Sequence, residues 1–159
     1  MIEQICISDA LLDGAKEVFE TMIFMEMEQT AEEMPNDNSD ALLGSITFKG
    51  NIEGMLSIYC SADCAKAIAA NMLGLDINDS ISHEDINDAI GEVSNMVMGS
   101  LKSRIQDTIP NIDVSIPSVV TGQNLQTTMS DSLTKAEVNV CLEEEYFAKF
   151  SFLYREKNV

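Results

Sequence analysis

Residues 83–107 read HEDINDAIGEVSNMVMGSLKSRIQD, and this stretch predicts the long amphipathic helix on which the fold depends. Ser82 and Asp85 at its start resemble a capping box that has Asp in place of the usual Glu. The apolar side chains of the stretch recur at helical spacing and therefore share one face. They are Ile86, Ile90, Val93, Val97 and Leu101. We expect this stripe to pack on a sheet and the opposite face to meet water.

The face opposite the stripe carries polar and small residues. Glu92 and Asn95 lie three positions apart on it, so their side chains are neighbours one turn removed. Asn is a poor helix-interior residue, and Gly costs about 1 kcal/mol relative to Ala. Gly91 and Gly99 would keep the surface low around Asn95 and let another backbone approach. A solvated helix face with unselected polar residues explains the spacing equally well. The face comprises Asp88, Glu92, Asn95, Gly99 and Lys102, and its flanks carry Met96 and Met98 as adaptable apolar contacts.

The rest of the chain shows helix and strand patterns in turn. Apolar spacings of three, four and seven residues predict a first helix over residues 9–29. The loop Lys49-Gly50-Asn51 joins two runs rich in strand-forming residues and predicts a hairpin. Ser61 and Gly74 are the expected caps of a short second helix. The predicted strands are residues 43–48, 52–60, 118–121, 125–130, 135–142 and 146–154.

This element order predicts an α+β fold in a single domain that spans residues 1–159. Two long helices and a short helix would pack on an antiparallel sheet. The two halves also resemble each other, because Asp13, Glu17 and Val18 align with Asp88, Glu92 and Val93. We read this as a degenerate repeat of helix-plus-hairpin units, although three matches in a dozen positions also arise by chance.

The composition narrows the classes of partner. Nine Lys and Arg against 27 Asp and Glu leave a formal charge of −18, which repels nucleic acid and anionic membranes. A partner surface should therefore be basic, although solubility alone accounts for most of the charge. No apolar run approaches the roughly 20 residues of a membrane span, and the first residues lack the basic region of a secretory signal. We expect a cytoplasmic protein.

Four cysteines lie in segments with helix or strand patterns and show no paired spacing, so we expect reduced core residues. They are Cys6, Cys60, Cys64 and Cys141. Cys60 and Cys64 are four apart and could hold a metal, but the chain has one histidine and no second pair nearby. We therefore expect no metal site. A small-ligand domain has little support either, since the chain lacks a Gly-rich phosphate loop.

The run Asp88-Ala89-Ile90-Gly91-Glu92-Val93-Ser94-Asn95-Met96-Val97-Met98-Gly99 resembles the Glu-x-x-Asn signature helix of the CheC/CheX/FliY chemotaxis phosphatases. The resemblance extends over the element order, the passage at residues 116–122 and the terminal hairpin. CheX-like members match most closely, because the first helix has Glu20 where a second signature Asn would stand after Glu17. The resemblance therefore implies a single working site.

The resemblance also implies an activity, which is hydrolysis of the aspartyl phosphate on a phosphorylated CheY-like receiver domain. Asn95 would orient the attacking water, and Glu92 would dock to a receiver lysine. The chain would bind no cofactor, since Mg²⁺ is expected on the receiver. A homodimer is also implied. A terminal strand such as residues 148–154 could pair across a sheet edge, although an exposed edge is equally often protected by charges. The partner-binding residues would be Asp88, Gly91, Met96 and Gly99.

A second hypothesis belongs to a different class. The same helix could bind a receiver without hydrolysing anything, in a non-catalytic receiver-binding or flagellar-switch-like interaction module. Asn95 discriminates between the two, because docking alone does not require a carboxamide that can position water.

Overall fold

The computed structural model describes residues 6–33, 39–125 and 132–157. Its helices are α1 (Ile7–Val18), continued by a π-helical turn (Phe19–Ile23), α2 (Ala62–Leu73) and α3 (His83–Ile105). Its strands are β1 (Met27–Gln29), β2 (Ala41–Gly50), β3 (Ile52–Ser61), β4 (Ile112–Val114), β5 (Ser118–Gly122), β6 (Thr134–Leu142) and β7 (Tyr146–Glu156). The predicted α+β class is confirmed, with three helices packed on an antiparallel sheet.

Within the described ranges the sheet has seven strands in the order β1-β6-β7-β3-β2-β4, and β5 pairs with β2 beside β4. Both predicted hairpins are present, β2 with β3 and β6 with β7. Along β6 the side chains alternate between buried and accessible positions, as on a sheet with one face covered. The covered face meets the apolar sides of the helices in one core cluster.

The strand order supports the predicted repeat. The chain runs α1-β1-β2-β3 and, after α2, α3-β4-β5-β6-β7. The last strands of the two units, β3 and β7, pair at the centre of the sheet. The strands that follow each long helix pair with the hairpin of the other unit: β1 lies beside β6, and β4 and β5 lie beside β2. The two halves therefore interlock.

The prediction for the first helix was wrong at its C-terminal end. The α-helix ends at Val18, and the π-helical turn ends before Phe24, which has a left-handed φ of 62°. The Met25 N–H donates to the Phe19 carbonyl at 2.9 Å and closes this turn. Met25 and Met27 are buried while Glu26 is exposed, an alternation typical of a strand. The apolar residues before Phe24 have helical spacing, and this hid the change to the two-residue alternation of a strand after it.

The structure excludes edge pairing by the last strand. β7 pairs with β6 on one side and β3 on the other, so residues 148–154 lie inside the sheet and cannot pair with another copy. The edges of the sheet are β1 on one side and β4 with β5 on the other. The homodimer stays a prediction, and residues 148–154 do not form its contact. The predicted strand at 125–130 lies outside the described residues except for Leu125.

The cysteines follow the prediction in part. Cys60 and Cys64 are fully buried, and the hydrogen bond between their thiols, together with burial, raises the pKa of Cys64 well above its usual value. The Cys64 thiol therefore stays protonated in the core. The prediction was wrong for Cys6, which is exposed before α1, and Cys141 is half-buried. Over the described ranges, no group of three or more His, Cys, Asp or Glu side chains could hold a metal ion.

A membrane-spanning helix was not expected from the sequence. Among the described residues, none of the helices is both long and apolar enough to cross a bilayer.

Candidate functional site

The long helix α3 has the boundaries that its sequence predicts. Ser82 caps it, with its hydroxyl oxygen accepting from the Asp85 N–H at 3.1 Å. Acidic residues in the first turn and Lys102 and Arg104 in the last turn complement the helix dipole. Four residues of the predicted stripe are fully buried and Ile86 is half-buried. The four are Ile90, Val93, Val97 and Leu101.

A glycine in the sheet sets how closely α3 approaches it. A Cβ at Gly44 of β2 would lie 2.7 Å from the Ser94 Oγ and 2.9 Å from the Ile90 Cγ2. Ser94 is fully buried, and its hydroxyl donates to the Ile90 carbonyl at 2.9 Å. α3 thus lies directly on the backbone of β2. Our reading of the sequence did not single out Gly44 or Ser94, although a glycine inside a strand pattern is a signal of close approach.

This contact also sets the rotation of α3. Ser94 and Ile90 face β2, so the residues on the far side of the helix face solvent. Asp88, Glu92, Asn95 and Gly99 are exposed there, as predicted, and Lys102 is half-buried. Neither Glu92 nor Asn95 has a side-chain hydrogen bond or ion pair in the described part of the chain. Both side chains are available to a partner.

The predicted gap at Gly91 is closed. Gly91 is buried, and a Cβ there would lie 3.5 Å from Pro117 Cγ and 3.8 Å from Val119 Cγ2. The segment that leads into β5 therefore covers this position, and Gly91 cannot be the contact with a partner that the sequence suggested. Gly99 has open space, since a Cβ there would meet nothing within 4 Å. Of the two glycines, Gly99 alone leaves the surface low.

The predicted methionine contacts also differ from each other. Met98 is fully buried, because it turns toward the core rather than to the flank of the exposed face. Met96 is half-buried and lines a groove of about 400 Å³ between α1 and α3. Met22, which is 55% exposed, lines the same groove from the π-helical turn. The remaining lining residues are Glu17, Val18, Gly99, Ser100, Ser103 and Arg104.

Two features of the first helix set it apart from α3. Glu20 occupies the place of the signature Asn and is exposed. Glu17, the counterpart of Glu92, forms an ion pair with Arg104 of α3. On α1, the carboxylate of Glu17 is therefore ion-paired within the chain. On α3, the corresponding carboxylate of Glu92 has no ion pair in the described residues.

Comparisons with known proteins identify a family and relatives. The family described as chemotaxis phosphatase CheX matches residues 42–141, a range that contains the whole of α3. The chain is 31% identical over 107 residues to the CheY-P phosphatase CheX of Thermotoga maritima. The aligned residues make up 67% of this chain and 68% of that protein.

Two solved structures show the same fold. The chemotaxis protein CheX of Vibrio vulnificus superposes with a TM-score of 0.78 at 23% identity, over 96% of this chain and 98% of that one. A CheX–CheY–BeF3–Mg²⁺ complex from Borrelia burgdorferi gives a TM-score of 0.73 at 18% identity, over 96% and 99%. The family match covers more than half of the residues of this chain, and the chain therefore belongs to the CheX family of chemotaxis phosphatases.

Proposed function

We propose that this protein hydrolyses the aspartyl phosphate of a CheY-like receiver domain, with Asn95 orienting the attacking water. The observation that carries the proposal is the exposed, unengaged Asn95, which lies one turn from Glu92 on the outer face of α3. The Thermotoga maritima relative is a CheY-P phosphatase, and the Borrelia burgdorferi protein forms a complex with CheY. Both support the same class of substrate.

The reaction requires little of this chain beyond positioning the attacking water. Water attacks phosphorus, the bond between phosphorus and the aspartyl oxygen breaks, and the products are inorganic phosphate and the free carboxylate. A carboxamide can accept a hydrogen bond from the water with its oxygen and donate to a phosphoryl oxygen with its nitrogen. Asn95 would do this from outside the receiver, as the glutamine of GTPases orients water beside a phosphoryl group.

The metal belongs to the partner in this proposal. The described part of the chain has no cluster of three or more metal-ligating side chains. The Borrelia burgdorferi complex contains Mg²⁺ together with CheY, which supports a metal held by the receiver. When bound there, Mg²⁺ would offset the charge of the phosphoryl oxygens. The residues of α3 then have to dock, orient the water and exclude other solvent.

Glu92 is proposed as the docking group. Its exposed carboxylate would pair with a receiver lysine beside the phosphorylated aspartate. We do not assign it as a general base, because a carboxylate is repelled by a phosphoryl group unless a cation lies between them. Asp88, Met96 and Gly99 would border this contact, with Gly99 allowing close approach of the receiver backbone.

Charge reversal at Glu92 should mainly weaken the complex. We expect Glu92→Lys to lower receiver affinity about tenfold or more, since a hydrogen bond to a charged group contributes about 1.5–3 kcal/mol. The affinity of the unaltered protein should also fall as salt rises, because its acidic surface favours a basic partner. Titration of a beryllofluoride-activated receiver at two ionic strengths measures both effects.

Glu28→Lys is the matched control. It makes the same change in net charge at an exposed position on β1, at the opposite edge of the sheet from β4 and β5. Equal losses of affinity in the two variants would show that only the overall charge matters and would remove the docking role of Glu92.

The central test is the decay of a phosphorylated receiver with and without the protein, followed by release of inorganic phosphate. A phosphatase accelerates the release in proportion to its concentration. A non-catalytic receiver-binding module would bind the receiver and leave the decay rate unchanged or slower, and that result would overturn the proposed activity.

A further inference from the structure

Ile116 is the most exposed of the large apolar residues that the structure describes, with 88% of its surface accessible. It lies between β4 and β5, in the run Val114-Ser115-Ile116-Pro117-Ser118-Val119-Val120-Thr121-Gly122, which contains no charged residue. Val114 and Val120 in the same run are exposed as well. On a chain with a net charge of −18, this is an uncharged apolar patch.

The backbone that carries Ile116 is held from one side by hydrogen bonds. The Ser115 N–H donates to the Thr47 carbonyl at 2.9 Å, and the Thr47 N–H donates to the Ser115 Oγ at 3.1 Å. The two hydroxyls are also joined, with Thr47 Oγ1 donating to Ser115 Oγ at 2.9 Å. The Ser115 hydroxyl in turn donates to the Ile116 carbonyl at 3.1 Å. These bonds tie the residue before Ile116 to β2.

The backbone is held from the other side by packing. Pro117 lies over Gly91, where a Cβ would be 3.5 Å from the proline ring, and proline restricts its own φ. Ile116 is therefore presented on a fixed segment and cannot turn into the core to hide its side chain. Gly91 immediately precedes Glu92 and stands one turn before Asn95. The apolar side chain thus borders the face that carries the proposed site.

We propose that Ile116 is an apolar anchor for the receiver domain, buried when the receiver docks on Glu92 and Asn95. This inference rests on the proposed function, because it names a second contact of the same complex. Acidic contacts on α3 would select a basic surface, and an uncharged anchor beside them adds affinity that salt does not screen. The occupant is the receiver rather than a second copy of this chain, because the patch is continuous with the unengaged face of α3.

The test measures binding separately from hydrolysis. The probe is a CheY-like receiver held in its phosphorylated-like state with beryllofluoride and Mg²⁺. Burying an isoleucine side chain corresponds to about a 10- to 100-fold change in affinity, so we expect Ile116→Ala to weaken binding by about that factor. The apparent KM for dephosphorylation should rise by a similar factor while kcat stays unchanged. Because Ile116 is exposed, thermal unfolding should not shift.

Phe147→Ala is the matched control. Phe147 is a half-buried apolar residue on β7, paired with Cys141 of β6 in the half of the sheet away from β5. The adjacent Ala148 faces the core, so Phe147 points to the opposite side of the sheet. Receiver affinity should be unchanged in this variant.

The outcomes separate this inference from the proposed function. Unchanged receiver affinity in Ile116→Ala, with phosphate release intact, would overturn the anchor and leave the activity standing. Binding that depends on Ile116, without any phosphate release, would overturn the activity and leave the anchor standing. If Ile116→Ala instead abolished self-association in sedimentation and left receiver affinity unchanged, the patch would be a contact between copies and the inference would be wrong.

Discussion

Asn95→Ala is expected to lower the rate of receiver dephosphorylation at saturating protein by about 100- to 1,000-fold, the size of effect seen when one preorganised hydrogen-bonding group is removed from an active site. The loss should fall on kcat, because the carboxamide acts on the attacking water rather than on docking. Affinity for a beryllofluoride-activated receiver should remain within a few-fold, since Glu92 is untouched. Single-turnover release of phosphate measures the rate, and titration measures the affinity.

Two further variants sharpen this prediction. Asn95→Asp keeps the size of the side chain but replaces the NH₂ donor with a negative charge, so it should be as inactive as Asn95→Ala. Asn87→Ala removes a half-buried asparagine two turns earlier on the same helix and should leave the rate unchanged. Full activity of Asn95→Ala would refute the assignment of Asn95 as the water-orienting group.

Gly44→Ala is expected to destabilise the fold by about 1–3 kcal/mol, the usual cost of overpacking a well-filled core. The added Cβ would sit 2.7 Å from the Ser94 Oγ and 2.9 Å from the Ile90 Cγ2, closer than such atoms can lie. Relief requires α3 to move away from β2 or Ser94 to lose its bond to the Ile90 carbonyl. Equilibrium unfolding in urea measures the change, and phosphate release should fall as Asn95 is displaced.

Gly99→Ala provides the comparison for this effect. A Cβ at Gly99 meets nothing within 4 Å, so alanine there should stabilise α3 by about 0.5–1 kcal/mol through helix propensity alone. The two glycine substitutions should thus change stability in opposite directions. If Gly44→Ala were as stable as the unaltered protein, the lack of a side chain at Gly44 would not be what sets the distance between α3 and β2.

The comparison of α1 with α3 shows how far the sequence alone reached. The substitution of Glu20 for the signature Asn was visible without coordinates and predicted one site instead of two. The structure adds that Glu17 pairs with Arg104, which is 87 residues away in the chain. No periodicity in either helix signals this pair, because the ion pair depends on how α1 and α3 cross. The same holds for the groove that joins Met22 to Met96.

The assignments for glycine and methionine show where it failed. Gly91 and Gly99 looked equivalent, since both lie within 60° of Asn95 at about 100° per residue. Only the position of Pro117 distinguishes them, by closing the space over Gly91. Met98 was placed on a flank by the same rotation, but it is buried within the core cluster. A helical wheel gives directions around an axis and does not show what packs against each direction.

By itself, the sequence determined the long helix, its buried stripe, both hairpins and the outward direction of Glu92 and Asn95. These follow from local periodicity and capping, which depend on neighbours a few residues apart. The tertiary structure alone decided which strands lie at the edges, that Glu17 pairs with Arg104, which glycine remains open and that Ile116 is exposed next to Pro117, which covers Gly91. Each of these depends on contacts between residues far apart in the chain, and the pattern of a single segment does not contain them.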